Sequence, residues 1–237
     1  MTSPFDAPVP DPTPEDRDAR PQYVLPLVVR LERTAPPGRT DALETSARAV
    51  LTLLSDRRVT EPDGEWTELV EAWEDARIRK VVRRARGGEW NRAGELPGIT
   101  VAGREAEVRV FPPVPLDGWP KELAKLQVSG TELEESGPVD APAPGVPVLW
   151  LNPEVEMSAG KTMAQTGHAA QLAWWRLDDA QRKEWAESGF ALAVRTAGPE
   201  AWGELVASGL PLVQDAGFTE IAPGSSTVVA DHPALRG

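Results

Sequence analysis

A weak internal repeat constrains the fold of this chain more than any other feature of its sequence. The stretch VVRRARGGEW at residues 81–90 matches AVRTAGPEAW at residues 193–202, VAGRE matches DAGFT, and LDGWP matches VADHP. The three matches keep the same order, at offsets of 112, 114 and 113 residues. Such near-constant spacing indicates a duplicated unit. The sequence therefore predicts two tandem domains with a common fold.

Composition supplies the boundaries of these domains. Residues 1–22 contain six prolines and few large apolar side chains, which predicts a disordered, acidic, Pro-rich tail. Residues 130–145 are again rich in proline and acidic side chains and are predicted to be a linker. The predicted domains are therefore residues 23–129 and 146–237, each long enough to bury a core of its own.

Short apolar segments alternate with helical ones in both predicted domains. In the second domain the strand VPVLWL precedes a helix that Ser158 caps, running from about Ala159 to Trp175, and Gly189 stops the next helix. The strands FALAVRTA, LPLVQDAG and STVVAD follow. In the first domain the strands YVLPLVVRL, IRKVVRRA, GITVAG and EAEVRVF occur in the same order. This alternation is typical of an α/β sheet with helices on both faces.

The segment MSAGKTMAQTGHAA, residues 157–170, places three polar side chains on one face of the first helix of the second domain. At 3.6 residues per turn, Lys161, Gln165 and His168 share a stripe, whereas Gly167 lies on the opposite side. The helix N-terminus adds N–H groups suited to an anion or a developing oxyanion. Spacing alone leaves two interpretations open: a functional site, or a helix with a solvated lysine and an ordinary histidine.

The same segment resembles the signature helix of the type 2 peptidyl-tRNA hydrolases, in which a Met precedes Gly-Lys and then Gln-x-x-His-Ala. QDAGFTEIAPGSSTVV at residues 214–229 is similar to that family's second block, Gln-Asp-Ala-Gly…Thr…Ile-Ala-Pro-Gly-Ser…Thr-Val. The resemblance covers residues 147–231. It implies two tandem three-layer α/β/α domains, each with a mixed four-stranded sheet. Since the family is dimeric, it also implies that the two domains pack as a pseudo-dimer.

The resemblance implies an activity and a set of site residues. The activity is hydrolysis of the ester between a peptide and the 3′ ribose of tRNA, without a metal ion or other cofactor, which requires an activated water and a stabilised oxyanion. The implied catalytic residues are Lys161, His168 and Asp215, with Gln165 and Thr219 in support. Lys161 would stabilise the oxyanion, and Asp215 would orient the water or accept its proton. An aspartate before Ala-Gly also fits an ordinary turn.

The second domain departs from the family pattern near the expected substrate entrance. Asn152, Glu154 and Glu156 occupy places where the family usually has Arg, Asp and Lys. Residues 141–237 contain six Lys and Arg against eleven Asp and Glu, and the whole chain has a net charge of −12. Little there attracts tRNA phosphates, whose neutralisation normally supplies most of the affinity.

The first domain carries the densest basic run, RIRKVVRRAR at residues 77–86. This run offers five candidate tRNA contacts: Arg79, Lys80, Arg83, Arg84 and Arg86. A strand with alternate residues in solvent explains the same run equally well. The catalytic positions of this domain are lost, since alignment on PGRTDALETSA puts Arg39, Leu43 and Ser46 at the Lys, Gln and His positions and Val101 at the Asp position. We therefore predict a degenerate domain beside one with intact motifs.

Three functions fit the sequence: an active peptidyl-tRNA hydrolase, a non-catalytic binding protein of the same fold, and a hydrolase of a different acyl ester or amide. The chain has no cysteine, which excludes disulfides and thiolate zinc sites. Since no run of 18 apolar residues occurs, we expect no membrane association and a cytoplasmic location. The expected state is either a monomer that forms an internal pseudo-dimer or a homodimer.

Overall fold

The computed structural model describes residues 20–215 and 221–236, so that most of the predicted tail lies outside the described residues. We refer to residues 20–145 as the first half and to residues 146–236 as the second half. The first half contains β1 (Tyr23–Arg30), α1 (Arg39–Leu54), α2 (Arg57–Thr60), α3 (Thr67–Asp75), β2 (Lys80–Ala85), α4 (Gly87–Gly94), β3 (Ile99–Ala102), β4 (Glu107–Val110), β5 (Val114–Pro115) and α5 (Lys121–Ala124). The second half contains β6 (Val148–Leu151), α6 (Ala159–Arg176), α7 (Asp179–Glu187), β7 (Ala193–Thr196), α8 (Pro199–Ala207), β8 (Leu212–Gln214), β9 (Ser226–Asp231) and a 3₁₀ turn (Pro233–Leu235).

The two sheets share one strand arrangement. Their orders are β2-β1-β4-β3 in the first half and β7-β6-β9-β8 in the second. In each sheet one strand pair is parallel, β1 with β2 and β6 with β7, and the other pairs are antiparallel. The predicted α/β class with two mixed sheets is confirmed. The first sheet has a fifth strand, because the two-residue β5 pairs with the start of β1.

One hydrophobic core joins the two halves. Alternate residues of β1, among them Leu25 and Leu27, face the same cluster as Leu149 of β6, and α1 and α6 pack against each other inside it. Smaller clusters cover the opposite faces of the sheets, under α4 and α5 in the first half and under α8 in the second. No helix in residues 20–215 or 221–236 is long and apolar enough to cross a bilayer.

Where α1 and α6 cross, each helix makes an equivalent hydroxyl contact to the other. Ser46 Oγ on α1 donates to the carbonyl of Met163 at 3.2 Å, and Thr166 Oγ1 on α6 lies 3.4 Å from the carbonyl of Leu43. Glycine at position 167 allows this close approach, since a Cβ there would lie 3.0 Å from Val50 Cγ2. The helices therefore pack as a pseudo-symmetric pair in which Ser46 corresponds to Thr166.

Part of the predicted linker, residues 130–145, packs against the helices. Thr131 and Leu133 are buried, and Thr131 Cβ lies 3.4 Å from the position of a Cβ on Gly160. The side chain of Glu135 accepts from Thr40 Oγ1 at 2.7 Å. The N-cap residue of α1 is a glycine with no side-chain acceptor, so this segment supplies acceptors to the helix N-terminus instead. It is therefore not a solvated linker over its whole length.

Candidate active site

The candidate site begins at the first turn of α6. Ser158 Oγ accepts the backbone N–H of Lys161 at 3.2 Å and so fixes where the helix starts. From there Lys161, Gln165 and His168 follow one face of the helix, as their spacing predicts. Lys161 keeps 13% of its side-chain surface exposed, whereas Gln165 is buried. This helix end places an ammonium at the edge of the core.

Asp215 lies directly after β8 and joins this helix face to the sheet. Its Oδ2 forms an ion pair with Nζ of Lys161 and accepts a hydrogen bond from Gln165 Nε2 at 2.7 Å. Both donors therefore converge on one oxygen of a buried carboxylate. An ammonium and an amide in this arrangement compensate the cost of burying the charge. In the described residues no group of three His, Asp or Glu side chains could hold a metal ion.

Thr227 on β9 extends this network and was missed by sequence reasoning. Its hydroxyl donates to Gln165 Oε1 at 2.7 Å, which orients the Gln165 amide so that its nitrogen faces Asp215. The signal was its place in the apolar strand STVVAD, where a fully buried hydroxyl needs a partner. Thr219, the predicted supporting threonine, lies outside the described residues.

His168 lies two turns after Lys161 and contacts the first half. Its Nδ1 lies 3.2 Å from Nζ of Lys80 on β2. Burial, followed by the charges of Lys80 and Lys161, lowers the pKa of the His168 imidazole well below its usual range. The ring is therefore neutral at neutral pH.

Lys80 itself corrects one sequence expectation. It was a candidate tRNA contact, but it is buried, with Nζ 4.7 Å from the ring centroid of Trp73 and 2.5 Å from Gln171 Oε1. Its strand position turns the side chain toward α6, where it cannot meet a backbone phosphate. Burial lowers the pKa of Lys80 well below its usual range. Sequence alone gave no sign of this, because a lysine before Val-Val also fits the exposed start of a strand.

The other four candidate tRNA contacts differ in exposure. Arg86 is exposed at the N-cap of α4, and Arg79 is partly buried. The guanidinium of Arg83 lies 4.3 Å from the ring centroid of Trp119 and donates to the carbonyl of Leu126 at 2.6 Å. Arg84 is partly buried and donates to the side chain of Gln127. Arg83 and Arg84 thus hold the chain near α5 in place.

Strand pairing corrects the predicted correspondence between the halves. Val101 pairs with Val108 in the first sheet, as Val213 pairs with Val228 in the second. Gly103, and not Val101, therefore corresponds to Asp215.

The hydrogen bonds between α1 and α6 correct the helix correspondence in the same way. Lys161 corresponds to Asp41 and not to Arg39, and Gln165 corresponds to Thr45 and not to Leu43. On the helix, the alignment was shifted because the connection from β1 to α1 is longer than that from β6 to α6.

The corresponding place in the first half holds no ammonium–carboxylate pair. Asp41 is buried and accepts three backbone N–H groups, from Arg104, Glu105 and Ala106, at 3.1, 2.7 and 2.8 Å. A Cβ on Gly103 would lie only 2.3 Å from Thr45 Oγ1 and 2.6 Å from Asp41 Oδ1. The space that Asp215 occupies in the second half is therefore filled here.

Comparisons with known proteins agree with this division. The family model described as peptidyl-tRNA hydrolase PTH2 matches residues 146–236. A peptidyl-tRNA hydrolase of Halobacterium salinarum is 33% identical over 94 residues, which are 37% of this chain and 84% of that protein. The human mitochondrial peptidyl-tRNA hydrolase 2 is 33% identical over 96 residues, 36% of this chain and 54% of that protein. Through its second half, the chain belongs to the PTH2 family of peptidyl-tRNA hydrolases.

Proposed function

We propose that this protein hydrolyses the ester bond between tRNA and a peptide or N-acyl amino acid, and so recycles tRNA. Residues 146–237 would be the catalytic domain and residues 23–129 a degenerate partner domain. The observation that carries the proposal is the Lys161–Asp215 ion pair, held by Gln165 inside the segment that matches the family. Ester hydrolysis needs a group that stabilises the oxyanion and a base that activates the water, and an ammonium and a carboxylate can fill these two roles.

The proposed reaction uses water as the nucleophile. The water oxygen attacks the ester carbonyl carbon, and the electron pair of the carbonyl moves onto its oxygen, which the ammonium of Lys161 stabilises. Asp215 orients the water and takes its proton. The electron pair of the oxyanion then re-forms the carbonyl as the bond to the 3′ oxygen of the ribose breaks, and that oxygen takes the proton that Asp215 had accepted, which gives the free 3′ hydroxyl and restores the carboxylate. Gln165 and Thr227 hold Asp215 in place, and Thr219 remains a proposed supporting residue.

His168 contributes as a neutral imidazole in this scheme. Burial, followed by the neighbouring Lys80 and Lys161, lowers the pKa of His168 well below its usual range, which keeps the ring neutral at neutral pH. It contributes a hydrogen-bonding group on the same helix face as Lys161. Its role is therefore to order the site around the reacting groups.

The proposed partner is tRNA, bound by cations of the first half. Arg86 is the most exposed of the predicted contacts, with Arg79, Arg83 and Arg84 partly exposed beside it. Their phosphate contacts would make binding fall steeply with added salt. We propose a monomer, because the α1–α6 crossing already joins two related halves. Since the substrate arises during translation, we propose that the protein acts in the cytoplasm.

The test is release of free tRNA from an N-acylated aminoacyl-tRNA, at low salt. The variants are His168→Ala and Asp215→Asn, and Asp179→Asn at a fully exposed position of α7 is the matched control. We expect hydrolysis to collapse in both site variants and to persist in Asp179→Asn, with circular dichroism unchanged. Hydrolysis that persists in both variants would show that the catalytic site has been assigned to the wrong residues.

The alternatives separate in the same assay. A wild type that binds tRNA without hydrolysing it would be a binding protein. A wild type that cleaves small N-acyl esters or amides but neither binds nor cleaves tRNA would be a hydrolase of another substrate. The acidic Glu154 and Glu156 beside α6 favour this last alternative over the binding protein, since they repel phosphates without affecting Lys161 or Asp215.

A further inference from the structure

A polar network crosses the boundary between the two halves, with Lys80 and Gln171 buried at its centre and Trp175 exposed at its edge. It consists of Glu74 and Lys80 from the first half and of His168, Gln171 and Trp175 from the second. On α6 these residues are spaced three and four apart, so they follow one stripe. Lys80 Nζ contacts His168 Nδ1 and Gln171 Oε1, at 3.2 and 2.5 Å. The face of α6 that carries Lys161 and Gln165 thus continues, through His168, into residues that contact the first half. We call these five residues the interdomain network.

Trp175, at the end of the network farthest from His168, determines which groups donate and which accept. The indole nitrogen of Trp175 can only donate, and it donates to Glu74 Oε1 at 3.1 Å. Gln171 Nε2 donates to the same oxygen at 3.1 Å, which leaves Gln171 Oε1 as an acceptor for Lys80. The third contact of Lys80 Nζ is the carbonyl of Ile78, at 3.3 Å. Lys80 is therefore a donor in this network.

From this geometry we propose that Lys80 is a positioning residue for the hydrolase site of the second half. It donates to Nδ1 of His168, so that Nε2 carries the single proton of the neutral ring and the imidazole is held on the face of Lys161 and Gln165. The two ring nitrogens are distinct, and the partner of one decides the chemistry of the other. The proposal rests on the proposed function, because the site that Lys80 orders is the hydrolase site.

The surroundings of His168 favour this arrangement. The charged groups that act on His168 and Lys80 are Lys80 itself on β2, Glu74 on α3 and Lys161 on α6, Asp75 acts on Glu74, and α1 contributes the apolar Val50. Both lysines oppose a charge on the imidazole, which keeps the ring neutral and able to accept at Nδ1. Gly167 makes room for the aliphatic part of Lys80, since a Cβ there would lie 3.3 Å from Lys80 Cδ.

The network is absent from the pseudo-symmetric side of the interface. Lys80 precedes Val82 by two residues, and Val82 pairs with Leu27 as Val194 pairs with Leu149, so that Leu192 corresponds to Lys80. Leu192 is buried in the common core. The first half therefore contributes a buried lysine, Lys80, at a position where the second half has a leucine, Leu192. This asymmetry fits a degenerate domain that serves the site of its partner.

The first experiment reads the tautomer of His168 in the full-length protein. The chain has only two histidines, so a long-range ¹H–¹⁵N spectrum with a His232→Gln variant assigns both rings. We expect Nε2–H and unprotonated Nδ1 for His168 in the wild type. In Lys80→Met this preference should be lost and the His168 pKa should rise. A wild type with the proton on Nδ1, or a tautomer that ignores Lys80→Met, would overturn the proposal.

The second experiment measures hydrolysis of N-acylated aminoacyl-tRNA as a function of pH. Lys80→Met should lower kcat by about 10-fold to 100-fold with little change in KM, because a misplaced group slows the chemical step. The acid limb of the pH profile should move to higher pH as His168 becomes easier to protonate. Lys183→Met, at an exposed lysine of α7, is the matched control and should keep the wild-type profile.

Two further outcomes are distinguishable. If Lys80→Met does not fold, the double variant Lys80→Met with Glu74→Gln removes both charges of the network, and it should show the same loss of tautomer and of kcat. An unchanged kcat and pH profile in a folded variant would overturn the proposal. A wild type with Nε2–H on His168 but no hydrolysis would overturn the proposed function and the positioning role together, while leaving the Lys80–His168 contact in place.

Discussion

The first turn of α6 and the end of β8 hold an ammonium and a carboxylate, whereas the same two places in the first half hold a carboxylate and a glycine. Asp215 is bound by side chains, those of Lys161 and Gln165. Asp41 is bound by three main-chain N–H groups. A carboxylate saturated by the main chain fixes a turn and has little left to offer a substrate. One backbone frame thus supports the proposed catalytic pair in one half and a structural anchor in the other.

The interface between the halves shows the same division of roles. At the α1–α6 crossing the two helices exchange equivalent hydroxyl contacts, through Ser46 and Thr166. Beside the crossing the symmetry ends, because Lys80 contacts His168 while its counterpart Leu192 is apolar. The shared contacts hold the halves together, whereas the unshared one reaches His168 of the proposed site. The first half thus has no counterpart of the Lys161–Asp215 pair at Asp41 and Gly103, but it contributes a contact to the second half.

The largest expected effect separates the two helix positions by activity. Lys161→Met should lower the rate of tRNA release by about 10³-fold, since removing one oxyanion donor costs about 4 kcal/mol of barrier. Asp41→Asn, at the corresponding place, should leave kcat unchanged and lower the free energy of unfolding by about 2 kcal/mol, because an N–H of the new amide meets main-chain N–H groups. Kinetics and urea unfolding of both variants test the contrast. An equal loss of kcat in Asp41→Asn would contradict it.

The second effect concerns the space beside Gly103, which Asp41 and Thr45 of α1 fill. Gly103→Ala would bring a Cβ within 2.3 Å of Thr45 Oγ1, and we expect a loss of about 3 kcal/mol in the free energy of unfolding from crowding. Gly203→Ala on α8 is the matched control, since a Cβ there meets nothing within 4 Å. That change should stabilise the helix by about 1 kcal/mol. If both variants unfold like the wild type, the conclusion that no room is left beside Gly103 would be contradicted.

A third effect tests the support of Asp215. Thr227→Val keeps the shape but leaves Gln165 Oε1 buried without its donor, which should cost about 2 kcal/mol of stability and about 10-fold in kcat. Thr166→Val makes the same exchange at the helix crossing, outside the site. It should lower the unfolding midpoint and leave kcat unchanged. Equal kcat in the two variants would argue that Gln165 does not depend on Thr227 for its orientation.

The elements and the polar helix face could be predicted from the sequence because they depend on local chemistry. Ser158 caps α6 where the sequence places a cap, and Gly189 has a positive φ of 69° after α7. Lys161, Gln165 and His168 share a face because helical spacing is fixed. The resemblance to a known family added Asp215, which no local pattern connects to this helix.

What could not be predicted depends on contacts between distant segments. Lys80 lies 88 residues from His168, and only the packing of β2 against α6 turns it into a buried partner. The register between the halves failed for a similar reason. Short sequence matches do not fix the register of strands and helices, whereas strand pairing and the helix contacts do. Asp41 lies within a helical segment, and only the packing of the segment after β3 brings the N–H groups of residues 104–106 to its carboxylate.

The smallest expected effect is the pH dependence of stability that the two histidines contribute, and both of them, His168 and His232, lie in the second half. The folded-state pKa of His168 is well below 6.5, and that of His232 is lowered less strongly, mainly by burial. Well above pH 6.5 both rings are largely neutral in the folded and in the unfolded chain. Below it the unfolded chain binds protons that the folded chain resists, so stability falls with falling pH.

At pH 5.5 this linkage should remove about 1 kcal/mol of unfolding free energy through His168, relative to pH 7. Urea unfolding at the two pH values measures it in the wild type, in His168→Gln and in His232→Gln. The loss should be smaller in His168→Gln than in His232→Gln, because the more strongly shifted ring accounts for more of the linkage. An equal loss in His168→Gln and the wild type would mean that His168 titrates normally, and that Lys80 and Lys161 do not act on it as their positions require.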